Sequence, residues 1–115
     1  MLRLAALTGL VASMALGQLV DSASAKNRVL ARHPRIVHNL RCIHRYEGLW
    51  SDPGSPYWGG LQMDLTFQQT YGPSFYRRWG TADHWPVWSQ LVAGVRAVLV
   101  RGYGPWPVSR HSCGV

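Results

Sequence analysis

The chain has 115 residues, of which 47% are hydrophobic, and it carries a formal net charge of +7. This length provides for one small domain, and the hydrophobic content excludes an intrinsically disordered chain. The positive charge favours an anionic partner, such as nucleic acid, a membrane surface or an acidic cell-wall polymer, although a basic surface can also simply keep a protein soluble.

The first 25 residues have the parts of a secretory signal peptide. Arg3 gives a short, positively charged start, residues 4–20 are largely apolar, and residues 23–25 form a small-residue cleavage pattern. We therefore predict cleavage after Ala25 and a secreted, cell-wall-associated protein without stable membrane insertion. The alternative is an uncleaved membrane anchor, which the break in the apolar run at Gln18 disfavours. Export makes nucleic acid the least favoured anionic partner.

The rest of the chain shows a pattern of several short helices. Residues 26–33 are predicted to form a basic, irregular arm, and helices are predicted at about 34–47, 65–71, 73–79 and from Pro86 to Gly102. Apolar residues recur every three or four positions in the first and last of these helices. Pro34 and Gly48 mark the start and end of the first helix, and Asp64 can cap the second.

Two stretches rich in glycine and proline interrupt this helical pattern. Residues 50–60 are expected to form a loop or a small, irregular β-hairpin, and residues 103–115 an irregular tail. The sequence therefore predicts an α+β fold that is mainly α, with several short helices and at most a small, irregular β-hairpin.

The chain contains two cysteines, Cys42 and Cys113. An even number of cysteines in an exported chain predicts a disulfide. This bond would tie the end of the chain to the first helix and would stabilise the domain by about 4 kcal/mol.

Glu47, at the predicted end of the first helix, is the candidate catalytic residue. Cleavage of a glycosidic bond requires a carboxylic acid that protonates the leaving oxygen, and burial against aromatic surface favours the protonated form. The aromatic residues near it in sequence are Tyr46, Trp50, Tyr57 and Trp58. Their rings could also stack on sugars, the Gln62 amide could bind a sugar substituent, and Gly60 lets the backbone approach a ligand. Taken alone, a glutamate before a glycine is more often a surface residue, and tryptophans more often fill a core.

Three separated sequence blocks occur in a fixed order. They are Tyr46-Glu47-Gly48-x-Trp50, Tyr57-Trp58-Gly59-Gly60-Leu61-Gln62 and Gly102-x-Gly104-x-Trp106-Pro107-Val108. Together they resemble the transglycosylase-like domain of actinobacterial resuscitation-promoting factors, a small domain of the lysozyme superfamily that acts on peptidoglycan. The resemblance covers roughly residues 38–113. It implies a transglycosylase-like, lysozyme-like domain at 38–115, which follows the predicted signal peptide at 1–25 and an N-terminal arm and helix start at 26–37.

The resemblance also implies roles for individual residues. Glu47 matches the family's single catalytic glutamate, and Cys42 and Cys113 match its disulfide. Gln62 matches the block that lines the family's sugar cleft, and Trp50 and Tyr57 match aromatic residues beside it. Together with Trp58 and Gly60, which the residue types alone suggest, these are the predicted substrate-binding residues. Two features depart from the family pattern: both cysteines lie farther from their motifs, and Phe67-Gln68 stands in place of a Thr-Trp pair.

The scarcity of acids favours one kind of glycan chemistry. Besides Glu47, the mature chain has only Asp52, Asp64 and Asp83. Asp52 lies on the loop predicted to be flexible, and the other two are interpreted as helix caps or surface residues, so none is a convincing second carboxylate. We therefore expect a lytic transglycosylase that acts on the MurNAc–GlcNAc β-1,4 bond, in preference to a two-carboxylate hydrolase.

The five histidines show no metal-ligand spacing, and we expect neither a metal nor a cofactor. The expected partners are the glycan strands of peptidoglycan, bound by a monomer. Two other functions stay open: a non-catalytic glycan-binding module of the same fold, and a cationic protein that disrupts membranes.

Overall fold

Short helices make up most of the computed structural model, which describes residues 26–115; the predicted signal peptide lies outside the described residues. The α-helices are α1 (Pro34–Glu47), α2 (Leu65–Tyr71), α3 (Pro73–Trp79), α4 (Val87–Arg101) and α5 (Ser109–Ser112). A π-helical turn at Lys26–Leu30 precedes α1, and a 3-10 turn at Ala82–His84 precedes α4. The prediction of a small, mainly α domain built from several short helices is confirmed.

The helix signals in the sequence act as expected. Pro34 occupies the first turn of α1, and α4 starts directly after Pro86. The Asp64 carboxylate accepts a hydrogen bond of 2.7 Å from the Phe67 backbone N–H, which caps α2. These residues satisfy or remove the backbone donors that a helix start leaves without partners, so the helices begin where local chemistry favours them.

The predicted irregular hairpin is a single bridge in the described part of the chain. Trp58 and Met63 exchange backbone hydrogen bonds of 3.0 and 2.9 Å. Between them the chain reverses through Gly59, with φ of 77°, and Gln62, with φ of 48°. The prediction of at most a small, irregular β-hairpin is confirmed.

The N-terminal arm differs from the expectation of an irregular segment. It contains the π-helical turn at Lys26–Leu30, which packs against α4. Val29 and Leu30 are half-buried against the core. Burial of these two apolar side chains stabilises the turn, whereas the sequence pattern of this stretch is dominated by its charged residues.

The core forms around the first two-thirds of α4, which is buried from Ser89 to Val95. Leu40 of α1 and Leu61 of the turn both pack on this helix at Gly94. A Cβ atom at Gly94 would lie 2.8 Å from Leu61 Cδ1 and 2.9 Å from Leu40 Cδ1. The absence of a side chain at this position therefore allows α1 and the turn to approach α4 closely. None of the helices in residues 26–115 is long and apolar enough to span a bilayer.

The tail folds back onto α1. The predicted disulfide between Cys42 and Cys113 is present, with a Cα–Cα distance of 5.9 Å, and it closes a sequence separation of 71 residues. The tail is more ordered than expected, because Ser109–Ser112 forms the short helix α5. The Trp106 ring is buried, and its Nε1 donates a 2.8 Å hydrogen bond to the Leu61 carbonyl. These contacts hold the tail beside the C-terminal end of α1.

Candidate functional site

Glu47 is the last residue of α1, and its side chain is half-buried. Its Oε1 accepts a 2.7 Å hydrogen bond from the Ser109 hydroxyl of α5. Ser109 is only 4% exposed, so this donor is held in place by its surroundings. Oε2 of Glu47 accepts no hydrogen bond from any residue in 26–115. One carboxylate oxygen is thus positioned by the protein, and the other is available to a ligand.

A groove of about 490 Å³ opens beside Glu47. Its lining residues are Tyr46, Glu47, Tyr57, Gln62, Pro105, Trp106, Pro107, Val108, Ser109 and Ser112. The walls are thus mainly aromatic and apolar, with a few polar groups, which is a typical composition for a ligand site. Within this lining, as described, Glu47 supplies the only carboxylate.

A second cavity of about 240 Å³ adjoins the groove and extends it towards α2. The two cavities share Tyr57, Gln62, Pro105 and Trp106. We refer to the two together as the cleft. The second cavity contains a further carboxylate, that of Asp64, which already caps α2. The cleft is therefore lined by two carboxylates, that of Glu47 and that of Asp64, and the Asp64 carboxylate also caps α2.

Gln62 lies where the two cavities meet. Its Nε2 donates hydrogen bonds of 2.9 Å to Asp52 Oδ2 and 3.0 Å to the Gly59 carbonyl. Its amide oxygen has no hydrogen-bond partner in the described part of the chain. The protein thus fixes the NH₂ group of this amide and leaves the oxygen as an acceptor for a ligand.

Asp52 differs from the expectation of an acid on a flexible loop. Its Oδ1 accepts a 3.0 Å hydrogen bond from the Gly54 backbone N–H, and its Oδ2 accepts the bond from Gln62. The Asp52 backbone carbonyl also accepts from the Gly59 N–H at 2.9 Å. Asp52 therefore connects the loop to the turn, which fixes the position of Gln62.

Gly48 ends α1 as predicted, but the reason for the glycine is different. Its φ of −172° is extended, a conformation open to any residue, and not the left-handed conformation common at helix ends. A Cβ atom at this position would lie 2.7 Å from Gln62 Nε2 and 2.9 Å from Asp52 Oδ2. The glycine allows the end of α1 to lie directly against this polar pair.

Three of the predicted sugar-binding residues lie outside the cleft. The Trp50 ring stacks on the His44 ring with centroids 3.8 Å apart. Gly60 is buried beneath both rings, because a Cβ atom there would lie 2.6 Å from Trp50 Cδ2 and from His44 Nδ1. Trp58 is half-buried and pairs with Met63. The structure brings Glu47, Tyr57 and Gln62 together in the cleft and places Trp50, Trp58 and Gly60 on the core side of the turn.

Two further residues support the site, Ser109 and Gln90, and neither was predicted from the sequence. Ser109 is distant from Glu47 along the chain, so no local pattern pairs them. Gln90 is fully buried in α4, where its Oε1 accepts from the Gly60 N–H at 2.9 Å. Its Nε2 donates to the backbone carbonyls of Trp50 and Trp85 at 2.9 and 3.1 Å. Gln90 could have been identified because it is a polar amide at a core position of an apolar helix, where such a group needs hydrogen-bond partners.

The histidines do not form a metal site in the described residues. No three histidine, cysteine, aspartate or glutamate side chains of residues 26–115 come together as a ligand set. His44 Nδ1 lies 3.0 Å from the Gly60 carbonyl, a hydrogen-bond contact that holds the ring on the core side of the turn.

The comparisons with known proteins give no family for this chain. No protein-family model matches it, and no curated protein or solved structure matches it significantly. The sequence blocks and the geometry of the cleft are therefore the features that bear on function.

Proposed function

We propose that the protein is a secreted enzyme that cleaves the MurNAc–GlcNAc β-1,4 bond of peptidoglycan, with Glu47 as its single acid and base. One observation carries this proposal. The Glu47 carboxylate faces an aromatic and apolar groove, with one oxygen bound by Ser109 and the other available. A general acid needs this arrangement, because it must be positioned by the protein and still reach the leaving oxygen of the substrate.

The number of available carboxylates supports transglycosylation over hydrolysis. Two-carboxylate hydrolysis needs a second acid that acts as a nucleophile or activates water. Asp52 and Asp64 both accept hydrogen bonds that hold the loop and α2. Asp83 accepts from the Thr81 hydroxyl at 2.6 Å and pairs with His84 at 3.2 Å. Glu47 is the one acid that lines the groove within residues 26–115, whereas Asp64 lines the adjoining cavity and caps α2.

The reaction can proceed with this one residue. Glu47, as the acid, gives its proton to the GlcNAc O4 as the bond between that oxygen and MurNAc C1 breaks. The resulting carboxylate then takes the proton of the MurNAc C6 hydroxyl while that oxygen bonds to C1. The products are a strand with a free O4 hydroxyl and a 1,6-anhydro MurNAc end. No water is consumed, and Glu47 is protonated again.

The test is digestion of purified peptidoglycan by the oxidised mature protein, with mass spectrometry of the soluble products. We expect muropeptides that lack one water relative to hydrolytic products. Glu47→Gln should reduce their release by about 10²–10⁴-fold, because it removes the general acid and base. The matched control is Asp64→Asn, which removes the other cleft carboxylate and keeps an N-cap residue; it should retain activity within a few-fold.

Other outcomes would assign other functions. Equal loss of activity in Glu47→Gln and Asp64→Asn, with reducing-end products, would indicate two-carboxylate hydrolysis. A wild-type protein that sediments with cell walls and releases nothing would be a glycan-binding module. Leakage of liposomes that is unaffected by Glu47→Gln and abolished by high salt would indicate a membrane-disrupting cation.

A further inference from the structure

The outer face of α1 carries a row of cationic or titratable side chains. Its members are Arg35, His38, Arg41 and Arg45, and all four are exposed. Their spacing of three, three and four residues places them on one side of the helix. The opposite side contains Leu40 and Ile43, which are fully buried. We call the four exposed residues the basic row.

The basic row has no acidic partner in the part of the chain that the structure describes. The single ion pair found there joins His84 and Asp83. Within α1 the only acid is Glu47, which lies on the cleft side of the helix. Arg41 and Arg45 are like charges four positions apart, which repel each other, and Arg35 in the first turn opposes the helix dipole, whereas Arg45 in the last turn is favoured by it. An anionic ligand would relieve the repulsion between these cations.

The row is also held rigidly. The disulfide between Cys42 and Cys113 fixes the middle of α1 to the tail. Asn39 Nδ2 donates a 2.9 Å hydrogen bond to the Tyr103 hydroxyl, which fixes α1 to the segment after α4. Over the ten residues from Arg35 to Arg45, the row extends about 15 Å along the surface. A preorganised row of cations binds a ligand without the cost of ordering the helix.

We propose that the basic row binds a linear polymer of phosphate groups of the polyphosphate type, and not a nucleic acid. Arginine guanidinium groups form paired hydrogen bonds with phosphate oxygens, and the row presents three of them in line. A membrane surface fits less well, because a helix that lies on a bilayer inserts an apolar face. The apolar face of α1 is used in the core, and the one large apolar side chain that α1 exposes is Tyr46.

The basic row and the cleft can be occupied together. Glu47 follows Arg45 by two residues, a rotation of about 200° around the helix axis, so the two side chains leave α1 on opposite sides. A polymer on the row would hold the protein in place while the groove beside Glu47 stays open. This proposal does not depend on catalysis, and it would stand if the protein only bound glycan.

The test is a titration of the full mature protein against fluorescently labelled inorganic polyphosphate, followed by anisotropy at about 50 and 200 mM salt. We expect Arg41→Gln/Arg45→Gln to weaken binding by about tenfold or more and to make the salt dependence shallower. The matched control is Arg77→Gln/Arg78→Gln on α3, which removes the same charge from another exposed pair. This control should weaken binding by less than about threefold.

Several results would overturn the proposal. Equal losses in the two double variants would show that net charge alone is responsible. Tighter binding of wild type to duplex DNA, or to vesicles with anionic lipid, than to polyphosphate at equal phosphate concentration would assign a different partner. Nuclear magnetic resonance of wild type supplies a test independent of variant folding: polyphosphate should shift the amide signals of α1, and shifts confined to other elements would refute the assignment.

Discussion

The turn at residues 57–62 has a core side and a cleft side, and similar residue types have different roles on the two sides. On the core side, the Trp50 ring covers Gly60, and the Gly60 backbone N–H donates a hydrogen bond to the buried side-chain amide of Gln90. On the cleft side, Tyr57 is 50% exposed and lines both cavities, and Gln62 keeps its amide oxygen open. Two aromatic residues from neighbouring sequence blocks thus have different positions, because Trp50 packs against the turn and Tyr57 lines the cleft. Their positions in the blocks do not show which of the two each one does.

Two glutamines show this difference: Gln62, which is part of the turn, and Gln90 of α4, which contacts it. Gln90 has three hydrogen bonds to backbone groups and is fully buried. Gln62 has two hydrogen bonds, both through its NH₂ group, and is half-exposed. An amide whose polar groups all have hydrogen-bond partners is suited to stabilising the fold. An amide whose oxygen has no partner is suited to binding a ligand.

The largest expected effect is on the core side. Gln90→Leu would leave the Gly60 N–H and the carbonyls of Trp50 and Trp85 without this partner. At 1–3 kcal/mol for each unsatisfied buried group, the free energy of unfolding should fall by about 4 kcal/mol. Urea denaturation measures this change. The control is Gln69→Leu on the exposed face of α2, which should change stability by less than about 0.5 kcal/mol. Equal effects of the two variants would contradict the structural role of Gln90.

A pair of glycine variants compares the two sides directly. Gly60→Ala would force the Trp50 and His44 rings apart, so we expect a loss of about 2–3 kcal/mol in unfolding free energy. Gly48→Ala would instead displace only the amide end of the Gln62 side chain, so its stability loss should be about 1 kcal/mol, with the larger effect on glycan binding. Thermal denaturation and a cell-wall binding assay, run on both variants, measure the two effects. The reverse order of stability losses would show that the turn packs differently.

The next effect is on the cleft. Tyr57→Ala removes an exposed aromatic wall of both cavities, so we expect kcat/KM on peptidoglycan to fall about 30-fold, or about 2 kcal/mol, with little change in melting temperature. Trp50→Ala is the comparison on the core side, where loss of a half-buried ring should cost about 3 kcal/mol of stability. If Tyr57→Ala unfolds the protein and leaves the kinetics of the folded fraction unchanged, its placement in the binding surface is wrong.

The smallest effect concerns the hydrogen bond between Ser109 and Glu47. Ser109→Ala removes the hydroxyl that orients the carboxylate, at a cost of about 1 kcal/mol, so we expect activity to fall roughly fivefold. Ser109→Thr keeps the hydroxyl and should restore part of this loss. Steady-state kinetics on the same peptidoglycan preparation measure both variants. Loss of activity equal to that of Glu47→Gln would instead give Ser109 a direct part in the reaction.

The sequence predicted the helices well because their signals are local. Pro34, Asp64 and Pro86 act on the backbone within one turn, and apolar spacing identifies the faces of α1 and α4 that form the core. The pairing of Cys42 with Cys113 also followed, because the chain contains no other cysteine. In the structure, Tyr57 and Gln62 line the groove beside Glu47, and their binding role stays a prediction.

The remaining features depend on contacts between distant residues. No local pattern shows that Ser109 meets Glu47, or that Gln90 reaches under Gly60. Gly48 was expected to end α1, and it does, but the need for a glycine there comes from its close packing against Gln62. The direction in which Trp50 points likewise depends on its partner, His44. Such contacts follow from tertiary packing, which neither periodicity nor residue type determines.

The position of the tail has a consequence for the order of synthesis. Residues 105–112 supply one wall of the groove and the hydroxyl that binds Glu47, and they are translated after α1–α4. The disulfide that ties this part of the chain to α1 forms only where thiols are oxidised. A nascent chain therefore contains the glutamate before it contains this wall. If the protein is exported and its site acts on cell-wall glycan, the same bond would couple the finished site to an oxidising compartment.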